Sequence, residues 1–254
     1  MRVLKAAGVV LLLALAVGLR GQVAAAGTGG DDVLERPLCD EKVGDCSVFY
    51  ESFSDDDVEG VLYLTFMFAE VPGGFASLPD EPWQPRRNFM PPRLTTKDVL
   101  ETVTRVEPRY AWAFDGGVVN VLPGEPLPLL DARVGEFRAK NLNVREMLAA
   151  LERTPDFKAG LAAHRLAEPK PPKDGGFIFG GFGGKPVEPG KRFSVSLRDA
   201  TVREVLNEIV RQDGCAVWSY KEWKPPADVP NPGDERWYRL GLLDYCPGNP
   251  DEKK

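Results

Sequence analysis

The stretch Phe193-Ser-Val-Ser-Leu-Arg-Asp-Ala-Thr-Val-Arg-Glu-Val-Leu-Asn-Glu-Ile-Val-Arg-Gln-Asp-Gly214 decides how the rest of the chain is read. Phe193, Val195 and Leu197 alternate with Ser194 and Ser196, the period-two pattern of a strand with one buried face. Thr201 and Glu204 then stand three apart ahead of an apolar run. A hydroxyl at that position satisfies an unpaired helix N–H, and the acid three residues on reaches back to the cap and complements the helix dipole. Val205, Leu206, Ile209 and Val210 follow at helical spacing, and Gly214 stands where a helix closes on a left-handed residue. Cys215-Ala-Val-Trp-Ser-Tyr220 reads as the next strand. The unit is strand–helix–strand.

The same local grammar occurs twice upstream. Thr95 precedes Asp98, with Val99, Leu100, Val103 and Val106 behind it. Asn143 precedes Glu146, with Met147, Leu148 and Leu151 behind it. After the first of these helices, Tyr110 to Phe114, the turn Asp115-Gly116-Gly117, and Val118 to Leu122 read as a hairpin. Tyr110, Trp112 and Phe114 share one of its faces. Val61 to Phe68 is a near-continuous apolar run, expected to be a strand covered on both sides. Leu78 to Pro92, Pro123 to Pro128 and Glu168 to Pro189 are rich in proline or glycine and read as linkers, and Pro225 to Gly233 reads as a loop inside the last unit.

The chain has 254 residues, with 26 Gly and 23 Pro, enough for one large core or two small ones. Arg2 and Lys5, the apolar run Ala6 to Leu19 and the small residues Ala24-Ala25-Ala26 read as a signal peptide over residues 1–26. Arg20, Gly21 and Gln22 interrupt that run short of the about 20 residues of a membrane span. Removing the leader leaves 29 basic and 38 acidic residues, a net charge of −9. That balance argues against nucleic acid or an anionic membrane as partner. An exported chain is periplasmic or secreted, with no stable span after cleavage. Export also makes disulfides the expected state of Cys39, Cys46, Cys215 and Cys246. The pairs Cys39–Cys46 and Cys215–Cys246 each close a local loop. If Trp237 to Leu243 returns antiparallel to Cys215–Tyr220, Cys246 comes back toward Cys215. Pairing across the two halves stays open as the alternative.

The quoted stretch resembles the short N-terminal domain of secretins and TonB-dependent receptors, an STN-like module with an alternating strand, a capped helix and a glycine before the next strand. Leu94 to Pro123, with its helix and Asp-Gly-Gly hairpin, is similar to the second half of that module. The resemblance implies small βαβ modules that work in the envelope through protein–protein contacts; it does not imply that the chain is a channel or a receptor. The expected organisation is an N-terminal extension over residues 27–60 with a local disulfide, a first module over 61–130, and a second over 131–254 with a Pro/Gly-rich insertion at about 168–190. The fold class is α+β.

No motif assigns chemistry. Gly180-Gly181-Phe182-Gly183-Gly184-Lys185 is not a phosphate loop, because Phe179 stands where the first glycine belongs and Pro186 where Ser or Thr belongs. Asp55-Asp56-Asp57 lacks the alternating ligands and central glycine of a calcium loop. His164 is the one histidine, and no nucleophile motif surrounds it. No catalytic residue, cofactor or metal ligand is assigned. Trp218, Tyr220, Trp223 and Trp237 are the candidate interaction aromatics, with core filling as their competing role. The expected function is a non-enzymatic exported protein that binds another envelope or secreted protein. The alternatives are a secreted hydrolase with a carboxylate-based site and an extracytoplasmic ligand sensor.

Overall fold

A computed structural model describes residues 31–38, 58–77, 94–168, 191–225 and 236–243. The leader, Cys39, Cys46, Cys246, Asp55 to Asp57 and the expected insertion beyond Glu168 lie outside these residues. Among the described residues no helix is long and apolar enough to cross a membrane.

The elements in chain order begin with α1 (Asp31–Leu34), α2 (Val58–Ala69), β1 (Gly73–Ser77), α3 (Thr96–Val106), β2 (Tyr110–Asp115) and β3 (Val118–Pro123). They continue with α4 (Pro128–Asp131), β4 (Arg133–Leu142), α5 (Val144–Glu152), α6 (Pro155–Ala163) and β5 (Leu166–Ala167). The last are β6 (Phe193–Thr201), α7 (Val202–Asp213), β7 (Val217–Trp223) and β8 (Arg236–Leu243). The class is α+β.

Six strands form one mixed sheet in the order β2-β3-β1-β7-β8-β5, and β4 pairs with β6 in a separate antiparallel ribbon. The two segments expected to be separate modules therefore meet in one sheet. Residues 61–130 supply β2, β3 and β1; residues 131–254 supply β7, β8 and β5. The seam is the parallel pairing of β1 with β7, from Gly73↔Val217 to Ser77↔Lys221.

Side-chain alternation sorts the sheet's two faces into two cores. Phe75, Val119, Val121 and Val217 pack with α2 and α3 residues such as Leu62, Phe66, Leu100 and Val103. Val118, Ala76, Trp218 and Tyr220 pack on the other side with Leu206 and Ile209 of α7 and Met147 and Leu151 of α5. Beyond these helices lies the β4–β6 ribbon, which contributes Phe137 and Val195 to the same core. The layers run helix, sheet, helix, ribbon.

The three helix starts form as their caps dictate. Thr201 Oγ1 accepts from Glu204 N–H at 3.1 Å, and Glu204 accepts from Thr201 N–H at 2.6 Å. Asn143 and Glu146 exchange the same pair of bonds at 2.9 Å each. Thr95 Oγ1 accepts from Asp98 N–H at 3.1 Å, and its hydroxyl donates to Asp98 Oδ2 at 2.7 Å. Removing such a cap typically costs ~1 kcal/mol. Gly214 closes α7 at φ +105°, in the left-handed region that glycine enters without strain.

One element differs in kind from expectation. Val61 to Phe68 is helical, the body of α2, rather than a strand. Its buried residues Val58, Val61, Leu62, Thr65 and Phe66 recur at intervals of three and four, which is the helical period. A near-continuous apolar run hides that period from the sequence, because strand and buried helix look alike there. The boundary expected at residue 61 accordingly falls inside a helix.

Candidate functional site

The β2–β3 hairpin ends the sheet, and its construction sets what the end presents. Gly116 and Gly117 both have positive φ, +56° and +84°, as a two-residue primed turn requires. Register runs without a break from Tyr110↔Pro123 to Asp115↔Val118. Gly124 N–H donates to Arg109 O at 2.7 Å, so ladder bonds recur at every second pair from there. That alternation directs the main chain of Ala111, Ala113 and Asp115 inward to β3 and that of Trp112 and Phe114 outward. Tyr110 N–H is taken by Glu107 O at 3.0 Å. Among the described residues no strand pairs with the outer side of β2.

The two faces of β2 differ sharply. Trp112 and Phe114 are half-buried against the α3-side core. On the opposite face, Ala111, Ala113 and Asp115 are exposed. At the Asp115 end this face opens into a cleft of about 390 Å³ between the hairpin turn, the end of β6 and α7. Its charged lining consists of Asp115, Arg198, Asp199, Glu204, Glu208 and Arg211. Arg211 is bonded to Glu208, and Arg198 lies 3.4 Å from Glu136. Thr201 N–H, donating to the Glu204 carboxylate, holds it below the usual carboxylate range. Asn207 Oδ1 accepts from Trp218 Nε1 at 2.8 Å and ties the cleft wall to the sheet.

A comparison of the chain with models of known protein families, with curated proteins and with solved structures found no match.

A second polar group sits at the other end of the sheet. Tyr220 donates to the buried carboxylate of Glu222, which also pairs with Arg236 at 2.5 Å. The parallel pairing of Ala167 with Trp237 sets Glu168 beside Tyr238, whose hydroxyl donates to Glu168 Oε1 at 3.3 Å. Burial, followed by the carboxylates around them, pushes both tyrosine hydroxyls above their ordinary value. Glu152, at the end of α5, is raised by burial and then by Glu168, against the opposing pull of Arg153. Neither Glu152 nor Glu168 lines the cleft. Among the described residues no group of acids, histidines and cysteines is arranged to hold a metal ion.

The aromatics singled out from the sequence separate into two pairs. Trp218 and Tyr220 are fully buried in the α7-side core, so they fill the core and offer no surface for a partner. Trp223 and Trp237 are half-buried and face one another across β7 and β8, ring centroids 6.1 Å apart and nearly perpendicular. The Arg239 guanidinium lies 5.9 Å over the Trp223 ring. His164 is the exposed C-cap of α6. Cys215 is held in a disulfide. The edge that no described strand covers carries Trp112 and Phe114 instead. Their shared face is legible in the alternation, but which strand ends a sheet depends on pairings between distant segments.

Proposed function

We propose that the chain is an exported, non-enzymatic envelope protein whose STN-like modules bind another protein by accepting an extended strand along β2. The observation that carries this reading is the outward main chain of Trp112 and Phe114 on an edge that no strand among the described residues pairs with. An edge strand with free donors and acceptors is a template for another chain, and proteins that must avoid such pairing blunt the edge with lysine, proline or a bulge. β2 has none of these: its sequence is Tyr-Ala-Trp-Ala-Phe-Asp and its ladder is continuous. The β4–β6 ribbon is built the other way, with exposed Arg133, Glu136, Arg138 and Arg198 and a register shift between Ala139 and Leu142. The export signal and the family resemblance in the sequence support the envelope as the place of action.

The test compares Trp112→Pro with Trp112→Ala as baits in envelope extracts. Proline removes an outward N–H while leaving the inward ladder bonds intact; alanine removes the indole and keeps the N–H. A partner held by wild type and Trp112→Ala but lost with Trp112→Pro is the expected result. Equal capture by all three proteins rules the edge out as the contact.

A further inference from the structure

We propose that the segment received by β2 is basic, with a lysine or arginine directed at Asp115 at the mouth of the cleft. This rests on the edge reading above and adds the chemistry of the partner. A strand laid beside β2 sends its side chains alternately to the two faces, each about 5 Å from its cross-strand neighbour. On one face its residues meet the half-buried rings of Trp112 and Phe114, which favour apolar or β-branched neighbours. On the other they meet Ala111 and Ala113, too small to obstruct a long side chain, and then Asp115.

Charge decides what that long side chain is. Asp115 is exposed and forms no ion pair among the described residues. The cleft it opens on holds four acids, Asp115, Asp199, Glu204 and Glu208, against two arginines. Both arginines are engaged, Arg211 with Glu208 and Arg198 with Glu136. Asp199 lies 3.7 Å from Arg133, and Arg133 and Arg203 act on Glu204, so Asp115, the acid nearest the edge, is the lining acid left without a cation among the described residues. Lysine and arginine have the reach to extend from an added strand over the alanines, with the stem on the Ala113 side and the charge at Asp115. The net charge of −6 over the whole chain acts in the same direction, drawing a basic segment in and disfavouring a second copy of this protein in its place.

The test uses labelled short peptides in which Val and Thr alternate with Lys, with Gln or with Glu, titrated against the full chain by fluorescence anisotropy at low and at high salt. The Lys peptide is expected to bind saturably, the Gln peptide more weakly and the Glu peptide least. Asp115→Asn is expected to weaken the Lys peptide about two- to fivefold, the range of an exposed cross-strand ion pair, and to leave the Gln peptide unchanged. Glu125→Gln removes the same charge from the far end of the hairpin and is expected to change neither by as much. Trp112→Pro abolishes binding of all three.

Equal affinity for Lys and Gln peptides, both lost in Trp112→Pro, overturns the basic partner and leaves the edge standing. Lys-peptide binding that survives Trp112→Pro, or falls equally in Asp115→Asn and Glu125→Gln, is diffuse attraction and overturns the proposal. Sedimentation showing a dimer that Trp112→Pro dissociates identifies a second copy as the occupant and overturns it as well. So does the absence of binding by every peptide.

Discussion

Gly74 lies directly under the indole of Trp218. The two are paired across the β1–β7 seam, and a Cβ built on Gly74 would stand 1.8 Å from Cε2 of that ring and 2.1 Å from its Nε1. The indole is itself pinned, since Nε1 donates to Asn207 Oδ1 on α7. One glycine thus lets a large aromatic lie across the strand that joins the two halves of the sheet.

Replacing Gly74 with alanine must therefore move either the ring or the strand. The indole has no room to shift without breaking its bond to Asn207, and Trp218 is fully buried. Overpacking of this kind costs about 1–3 kcal/mol, with the lost hydrogen bond of a buried donor adding about 1 kcal/mol or more. Gly241→Ala is the milder comparison, because its Cβ would meet Ser219 Oγ at 3.0 Å, a contact a small rotation relieves. Denaturant unfolding should show Gly74→Ala clearly less stable than Gly241→Ala. Equal midpoints would mean that the seam tolerates a displaced indole.

How much of this was legible in the sequence depends on the range of the interaction concerned. The caps at Thr95, Asn143 and Thr201 and the stop at Gly214 are satisfied within a few residues of themselves, so their spacing was sufficient to find them. The Asp115-Gly116-Gly117 turn and the antiparallel return of β8 on β7 are likewise local. Helix α6 carries a local signal of the same kind, since Thr154 caps it and Pro155 opens it, a pairing that signals a helix start. The seam, by contrast, joins residues 144 positions apart, as in Gly73↔Val217, and nothing in either strand names the other. Strand order made β2 an edge and buried Trp218 and Tyr220. The cleft joins the β2–β3 turn to β6 and α7, so its acids share no sequence pattern.

Glu152 supplies a pH dependence whose sign can be worked out. Its carboxyl is raised in the folded chain by burial and by Glu168, so the native state holds that proton more tightly than the unfolded chain does. Unfolding then releases a proton where the folded form is protonated and the unfolded form is not. This contribution favours folding as pH is lowered from neutrality toward the ordinary value of 4.5. Glu204 acts oppositely: its lowered carboxyl gives stability above 4.5 that is lost in more acid solution. Glu152→Gln should accordingly be more stable than wild type at neutral pH, and the difference should shrink on acidification toward 4.5. Thermal unfolding across that range checks it. A gap that stays constant or widens on acidification would place the effect in packing rather than charge.

The disulfide of Cys215 is expected to close on Cys246. Val217 pairs with Leu243 at the end of the β7–β8 ladder, Cys215 precedes Val217 by two residues, and Cys246 follows Leu243 by three. Continuing the antiparallel register would bring position 245 opposite Cys215, one residue from Cys246. Cys39 and Cys46 lie far off in sequence, ahead of α2. The two cysteines are 31 residues apart, and cross-linking a loop of about 30 residues stabilises a fold by roughly 3–4 kcal/mol in the chain-entropy model. Mass spectrometry of peptides cut without reduction should recover Cys215 joined to Cys246, and Cys246→Ser should lower the unfolding midpoint about as far as full reduction of that bond. Recovery of Cys215 joined mainly to Cys39 or Cys46 would show instead that the sulfur bridge ties the second half of the chain to the segment ahead of α2, and that β8 is held by its ladder alone.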